Sequence, residues 1–373
     1  MYKRSIHTDI AKKIGSGKAI IVVGARQVGK TTLINTILKG QDVLFLDADD
    51  ISTRSLMTDP TTEQLKSIIG DSKTIFLDEA QRIDNIGLTL KIITDQFKEV
   101  QLFVSGSSSI DLGNRLNEPL TGRKWEYELF PISWEEFEES VGMVKSEQQV
   151  GNRLLYGFYP DVLNNPGQEK IILKTLVNSY LFRDVLAFTE LKKPEVLDKL
   201  LQALALQLGN EVNFNELAST VSVDKNTISK YIDILEKSYV IFRLPSFSRN
   251  VRNEIKKGKK IYFYDNGVRN AIIGNFNPLE TRVDKGALWE NFLVSERRKQ
   301  NYYKNTFARM YFWRTKQQQE IDFVEEIADK VSGFEFKWSS GRSFNIPKTF
   351  TDAYNANTIV ISRENFRDFV VIK

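Results

Sequence analysis

Residues Gly24-Ala25-Arg26-Gln27-Val28-Gly29-Lys30-Thr31 fit the pattern G-x-x-x-x-G-K-[ST]. A glycine-rich turn of this kind aims backbone N–H groups at one point, and the helix it opens adds its positive end, so together they cradle phosphate oxygens. Lys30 would reach the β- and γ-phosphates, and the Thr31 hydroxyl would hold Mg²⁺. With Thr32, the segment Gly24, Ala25, Arg26, Gln27, Val28, Gly29, Lys30, Thr31 and Thr32 is the expected nucleotide-contacting stretch. Such a turn needs a strand before it and a helix after it. Ala19-Ile20-Ile21-Val22-Val23 is a short apolar, β-branched run that predicts a buried strand. Thr32 to Leu38 places apolar residues at helical spacing, and Gly40 offers a stop.

A second strand is predicted at Val43–Asp47, and a third, Thr74-Ile75-Phe76-Leu77, runs into Asp78-Glu79. An acid at the end of an apolar strand can hold Mg²⁺, often through water, so Asp78 is the second expected metal residue beside Thr31. Glu79 is placed to act as general base on a water attacking the γ-phosphate. One strand intervenes between the phosphate-loop strand and the Asp78 strand, an order that belongs to the division with a catalytic glutamate. No Asn-Lys-x-Asp guanine-reading motif occurs, which favours ATP over GTP. A fourth strand, Gln101-Leu102-Phe103-Val104, leads into Ser105-Gly106-Ser107. Its tip would lie between the phosphate loop and Asp78. Ser105 and Ser107 share a face there and are the candidates to orient the water or sense the γ-phosphate.

Further along stand Thr121-Gly122-Arg123-Lys124-Trp125 and Pro131-Ile132-Ser133-Trp134-Glu135-Glu136-Phe137. Taken in order, these pieces resemble the prokaryotic AAA-type ATPases. That family carries a Gly-x-Arg-Gln-Val-Gly-Lys-Thr-Thr loop, a Leu-Asp-Glu-[Ala/Val]-Gln Walker B strand and a Gly-Ser-Ser sensor strand. A Gly-Arg segment then precedes Pro-[Leu/Ile]-Ser-x-x-Glu-Phe. The resemblance covers about residues 18–140 and implies an Mg²⁺-dependent, ATP-hydrolysing core. It also implies an arginine finger contacting the γ-phosphate, often from a neighbouring copy of the chain, and hence a homo-oligomer. Arg123 and Arg115 are the candidates, and an ion pair of Arg123 with Glu126 or Glu128 is the competing role.

The middle of the chain continues the resemblance at Tyr156-Gly157-Phe158-Tyr159-Pro160 and Tyr180-Leu181-Phe182-Arg183-Asp184. It implies a helical lid over 141–195, in which Arg183 would sense the nucleotide or pair with Asp184. Asn213–Ala218 reads as a short helix. A second is capped by Asp224 and buries Ile228, Tyr231, Ile232 and Leu235, and a strand follows at Val240–Leu244. Helix, turn, helix, strand is a winged-helix layout, expected over 196–250, with Lys225, Asn226, Ser229 and Lys230 exposed for DNA. Asp224, Asp233 and Glu236 dilute that face. Arg249, Arg252, Lys256, Lys257, Lys259 and Lys260 form a basic stretch, read as a nucleic-acid contact or a solvated linker.

From 251 to 373 an α/β domain is expected. Strands fall at Lys260–Tyr264, Met310–Arg314, Ile321–Val324 and Gly333–Trp338, with a helix at Gly286–Val294. In the last strand Glu335 and Lys337 share a face. With Asp322 one strand earlier and Glu290 on the preceding helix, they resemble the E…D…E-x-K set of restriction-endonuclease-like nucleases. That resemblance implies a second metal site of Glu290, Asp322, Glu335 and Lys337 in a solvent-facing pocket. There the metal and lysine would prepare water to attack a phosphodiester.

The 373 residues fit two or three domains, with 41% hydrophobic and 27% charged content ordinary for a folded protein. Zero cysteines exclude disulfides, thiolate metal sites and a cysteine nucleophile. No apolar leader follows Met1 and no run approaches a membrane span, so a cytoplasmic protein without a membrane partner is expected. A net charge of +4 does not by itself argue for nucleic acid. Two functions remain open. One couples ATP turnover to nucleic-acid binding or processing, with DNA as partner. The other is a nucleotide-driven switch for a protein partner, with an inert nuclease-like scaffold.

Overall fold

The computed structural model describes residues 2–107, 119–181, 194–248, 258–339 and 346–372. Arg115, Arg183, Asp184 and the basic residues Arg249, Arg252, Lys256 and Lys257 lie outside the described residues. The chain forms two compact units, residues 1–131 with 237–239, and residues 132–236 with 240–373.

The first unit is built on a parallel sheet of β1 (Ala19–Val23), β2 (Leu44–Asp47), β3 (Thr74–Asp78), β4 (Gln101–Gly106) and β5 (Lys124–Glu128), in the order β2-β3-β4-β1-β5. Strands β1 and β3 are buried along their whole length, as apolar strands covered on both faces should be. The helices α1 (Lys30–Ile37) and α2 (Ile86–Gln96) turn Leu33, Ile34, Ile86, Leu90 and Ile93 inward. Strand β4 stands between β1 and β3, the order expected from the sequence. Because all five strands are parallel, the segments after β1, β3 and β4 emerge at one edge, where ligands of open α/β sheets bind. Strand β5 was not foreseen. Its alternation of charged and aromatic residues, Lys124-Trp125-Glu126-Tyr127-Glu128, suits a partly exposed strand at the sheet's border.

The second unit opens with short helices between Trp134 and Thr175. Then come α3 (Pro194–Leu206), β6 (Glu211–Val212), α4 (Phe214–Val221), α5 (Lys225–Lys237), β7 (Ile241–Pro245) and β8 (Lys259–Phe263). The three strands pair antiparallel in the order β6-β8-β7. Asp224 caps α5, accepting a hydrogen bond from the Thr227 amide at 3.0 Å, and Ile228, Tyr231, Ile232 and Leu235 are buried.

The last part of the unit runs α6 (Lys285–Tyr303), β9 (Arg309–Arg314), β10 (Glu320–Ile327), β11 (Lys330–Phe336), α7 (Lys348–Tyr354) and β12 (Asn357–Ile361). Its sheet is ordered β12-β11-β10-β9, antiparallel from β9 to β11, with β12 parallel to β11. Phe334 and Phe336 pack with Phe323 and Phe369 at centroid separations of 4.8–6.2 Å. Helix α6 extends nine residues beyond the predicted Val294. Its second half hides its periodicity by burying Ser295, Glu296, Lys299, Gln300 and Asn301, with Glu296 and Lys299 paired at 2.6 Å. Among the described residues no helix is long and apolar enough to cross a membrane.

Candidate nucleotide-binding and catalytic site

The turn after β1 is shaped by close approach. A Cβ on Gly24 would stand 2.1 Å from the Leu129 carbonyl oxygen, so a larger residue could not pass the end of β5. Gln27 (φ 62°) and Gly29 (φ 96°) take left-handed backbone conformations, which curl successive N–H groups toward a common centre. Gly29 caps α1 without a side chain, so the helix's first N–H groups face outward for a ligand. The buried Lys30 ammonium donates to the carbonyls of Gly24 (3.0 Å) and Ala25 (2.9 Å). Thr32 lies beside Thr31 in the first turn of α1.

The Thr31 hydroxyl donates to Asp78 Oδ2 at 2.7 Å, and the fully buried Ser105 hydroxyl donates to Asp78 Oδ1. The two oxygen-bearing groups expected to hold Mg²⁺ are thus already in contact, and a hard cation that prefers such donors fits this pair. The Glu79 amide donates to Asp78 Oδ1 at 3.1 Å. Glu79 itself is left-handed (φ 51°), a conformation that costs a non-glycine residue energy and concentrates at functional sites. Its carboxylate accepts from Gln81 Nε2 at 2.5 Å and lies 3.9 Å from the Arg26 guanidinium. Gln81 Nε2 also donates to Ser107 Oγ at 2.9 Å, while the Ser107 amide donates to Gln81 Oε1 at 3.4 Å.

The residues 24–32, Asp78, Glu79, Ser105 and Ser107 therefore gather at one edge of the sheet. Arg123 does not join them. It precedes β5, at the opposite edge from the phosphate loop, where its carbonyl accepts from the Ala19 amide at 2.9 Å. Its ion pair is with Asp95 at 2.6 Å, not with Glu126 or Glu128. Within its own unit Arg123 is a strand's length from the nucleotide site.

Two residues at the site escaped sequence reasoning. Gln81 stands in the Leu-Asp-Glu-Ala-Gln run but carried no assigned role. Buried Arg4 lies far from any motif, and donates to the carbonyls of Val28 (2.7 Å) and Phe130 (2.6 Å). Nothing in its local sequence marks it.

In the second unit the structure brings Glu290, Asp322, Glu335 and Lys337 together. Lys337 pairs with Glu335 at 2.7 Å, and the Phe336 amide donates to Asp322 Oδ2 at 2.8 Å. Burial pushes Asp322 well above the usual carboxylate range, with Glu290 and Glu335 adding to it. Burial also raises Glu335, against the hydrogen bond from Lys337. Glu335 is buried and the other three are partly buried. Glu290 Oε1 is already engaged by Lys260 (3.0 Å) and Tyr262 OH (2.6 Å), and Lys260 also pairs with Glu320 at 2.6 Å. Lys260, read from the sequence as part of a basic surface stretch, is instead buried on β8. Among the described residues no three carboxylates or imidazoles stand ready to hold a metal ion. The set does not fit a resident metal as it stands, although Glu335 Oε2 is buried without a hydrogen-bond partner.

Comparison with known proteins bears on the type of domain that carries the first site. Residues 16–138 match the family described as an AAA domain, so the first unit carries a P-loop ATPase domain of AAA type. Residues 147–279 and 285–371 match two families each described as a domain of unknown function (DUF8612 and DUF4143). The uncharacterized protein Rv2008c of Mycobacterium tuberculosis is 25% identical over 347 residues, covering 92% of this chain and 75% of its own. The uncharacterized protein MJ1544 of Methanocaldococcus jannaschii is 22% identical over 342 residues, 86% of this chain and 74% of its own. Among solved structures, the Walker-type ATPase Paby2304 of Pyrococcus abyssi superposes with a TM-score of 0.51. It is 15% identical, covers 73% of this chain and 96% of that one, and shares the fold.

Proposed function

We propose that this chain is an Mg²⁺-dependent ATPase of AAA type whose turnover is coupled to nucleic-acid binding or processing by its second unit. The nucleotide would lie on the turn 24–29 and the start of α1, held by Lys30. Mg²⁺ on Thr31 and Asp78 would neutralise phosphate charge. Glu79 takes the proton of the attacking water, and Ser105 fixes the Asp78 carboxylate between β3 and β4.

One observation carries the nucleic-acid half of this reading. The acids that dilute the exposed face of α5 are all engaged. Asp224 caps the helix, and the Arg243 guanidinium draws in both Asp233 (2.8 Å) and Glu236. Lys225, Asn226 and Lys230 are exposed on the same helix. The order α3-β6-α4-α5-β7-β8 supports a winged-helix arrangement in which α5 enters a major groove. ATPase rates with and without duplex DNA, paired with mobility shifts across a salt series, test it. The reading expects stimulation, and a binding slope that flattens in Lys225→Ala/Lys230→Ala.

A second reading has its own support. Glu290 is engaged by Lys260 and Tyr262, and Glu335 by Lys337, as in an inert nuclease-like scaffold within a nucleotide-driven switch for a protein partner. Unstimulated ATPase activity and salt-insensitive, weak DNA binding would favour that reading.

A further inference from the structure

We propose that Gln81 is the positioning residue that aims the Glu79 carboxylate, and that Ser107 serves the site by anchoring Gln81. This rests on the reading of Glu79 as general base. The geometry fixes the orientation of the amide. A backbone N–H can only donate, so the Ser107 amide selects the Gln81 carbonyl end, and Nε2 must then face Glu79 and Ser107 Oγ. The Arg26 guanidinium stands 3.9 Å from the Glu79 carboxylate and Gln81 Nε2 2.5 Å, so Gln81 is the tighter of these two restraints on a side chain with three rotatable bonds. Gln81 ties it to the end of β4, two residues past Ser105, which itself holds Asp78. The two serines of the β4 tip therefore divide the work. Ser105 fixes the metal-side acid, and Ser107, through Gln81, fixes the base.

The isosteric change Gln81→Glu separates this role from mere space-filling. It keeps the shape but sets a second carboxylate against Glu79. Its kcat should fall by about tenfold to a hundredfold at pH 8, the range for a displaced catalytic group. ATP affinity should stay within about twofold, since only the base is misplaced. The deficit should narrow as pH falls, because the introduced carboxyl regains a proton to donate. Gln81→Asn, too short to bridge both partners, should also lose kcat, and Ser107→Ala should lose part of it. A Gln81→Glu enzyme within twofold of wild type at pH 8 would overturn the proposal, as would a loss that is equal at every pH. Glu79→Gln run alongside keeps the two readings apart. If it turns over normally, the base assignment fails. If it is slow while Gln81→Glu is fast, only the role of Gln81 fails.

Discussion

The polar clusters of the two units use the same residue types, yet they are held in different ways. In the first unit the Lys30 ammonium donates to two backbone carbonyls, and Asp78 accepts from two hydroxyls. A phosphate or a divalent ion offers these charged heads a stronger, charge-assisted partner, so exchange favours the ligand. In the second unit the acids already face cations, Glu290 and Glu320 on Lys260 and Glu335 on Lys337. An incoming cation would have to displace a buried ammonium and leave it unpaired, a costly state. One cluster is set to receive a ligand; in the other Glu290 and Glu335 already hold cations, with Asp322 crowded between them.

The most severe test of this contrast is Lys30→Ala. The ammonium has no substitute on the phosphates, and the expected result in calorimetry is loss of measurable ATP binding. Unchanged affinity would break the P-loop assignment itself.

Next in size is Lys260→Met. Glu290 would be left in a partly buried setting with the Tyr262 hydroxyl in place of its cation, while Glu320 keeps Arg314 at 3.6 Å, so the expected cost is about 3 kcal/mol, as for other broken buried pairs. Chemical denaturation of the second unit would read it. A loss below about 1 kcal/mol would show a pair no stronger than surface ones, and the idea that Lys260 already satisfies Glu290 would go.

Glu79→Gln should slow hydrolysis by about a hundredfold or more with ATP affinity intact. A drop of only a few-fold would move the base to another residue.

What was legible in the sequence follows the same division. The candidate nucleotide site is carried by contiguous runs at strand ends, so its strands, turn and helix could be read directly from Ala19 to Leu38 and from Thr74 to Glu79. Partners distant in sequence could not be read. Arg123 reads as a candidate finger, with nearby Glu126 or Glu128 as its competing partners, whereas its ion pair is with Asp95 on α2, brought alongside only by the folded sheet. Lys260 reads both as the last of six basic residues in a nucleic-acid contact or linker and as the first residue of a strand, and only strand pairing shows it buried. The Glu290, Asp322, Glu335 and Lys337 set was visible because its order along the chain is simple. The pairing of Glu290 with Lys260 was not, since that depends on β8, a strand from another sheet.

The smallest expected effect comes from Arg4, which ties the first site to its scaffold. Its guanidinium holds the Val28 carbonyl at 2.7 Å and the Phe130 carbonyl at 2.6 Å. In a trans peptide the carbonyl and the following N–H point in opposite directions. Fixing the Val28 carbonyl on Arg4 therefore fixes the Gly29 N–H toward the opposite side, where the curled turn gathers its donors. Arg4→Met should weaken ATP and ADP about equally, by about tenfold, corresponding to one well-aimed hydrogen bond. Turnover at saturating ATP should change by less than about threefold, because an interaction made equally in ground and transition states affects affinity rather than kcat. Arg4→Lys, able to reach one carbonyl but not both, should fall between. If kcat collapsed while affinity held, Arg4 would act on the catalytic groups and not on the loop. If neither moved, the loop would hold its shape unaided, and the first site would depend on its scaffold less than the hydrogen bonds imply.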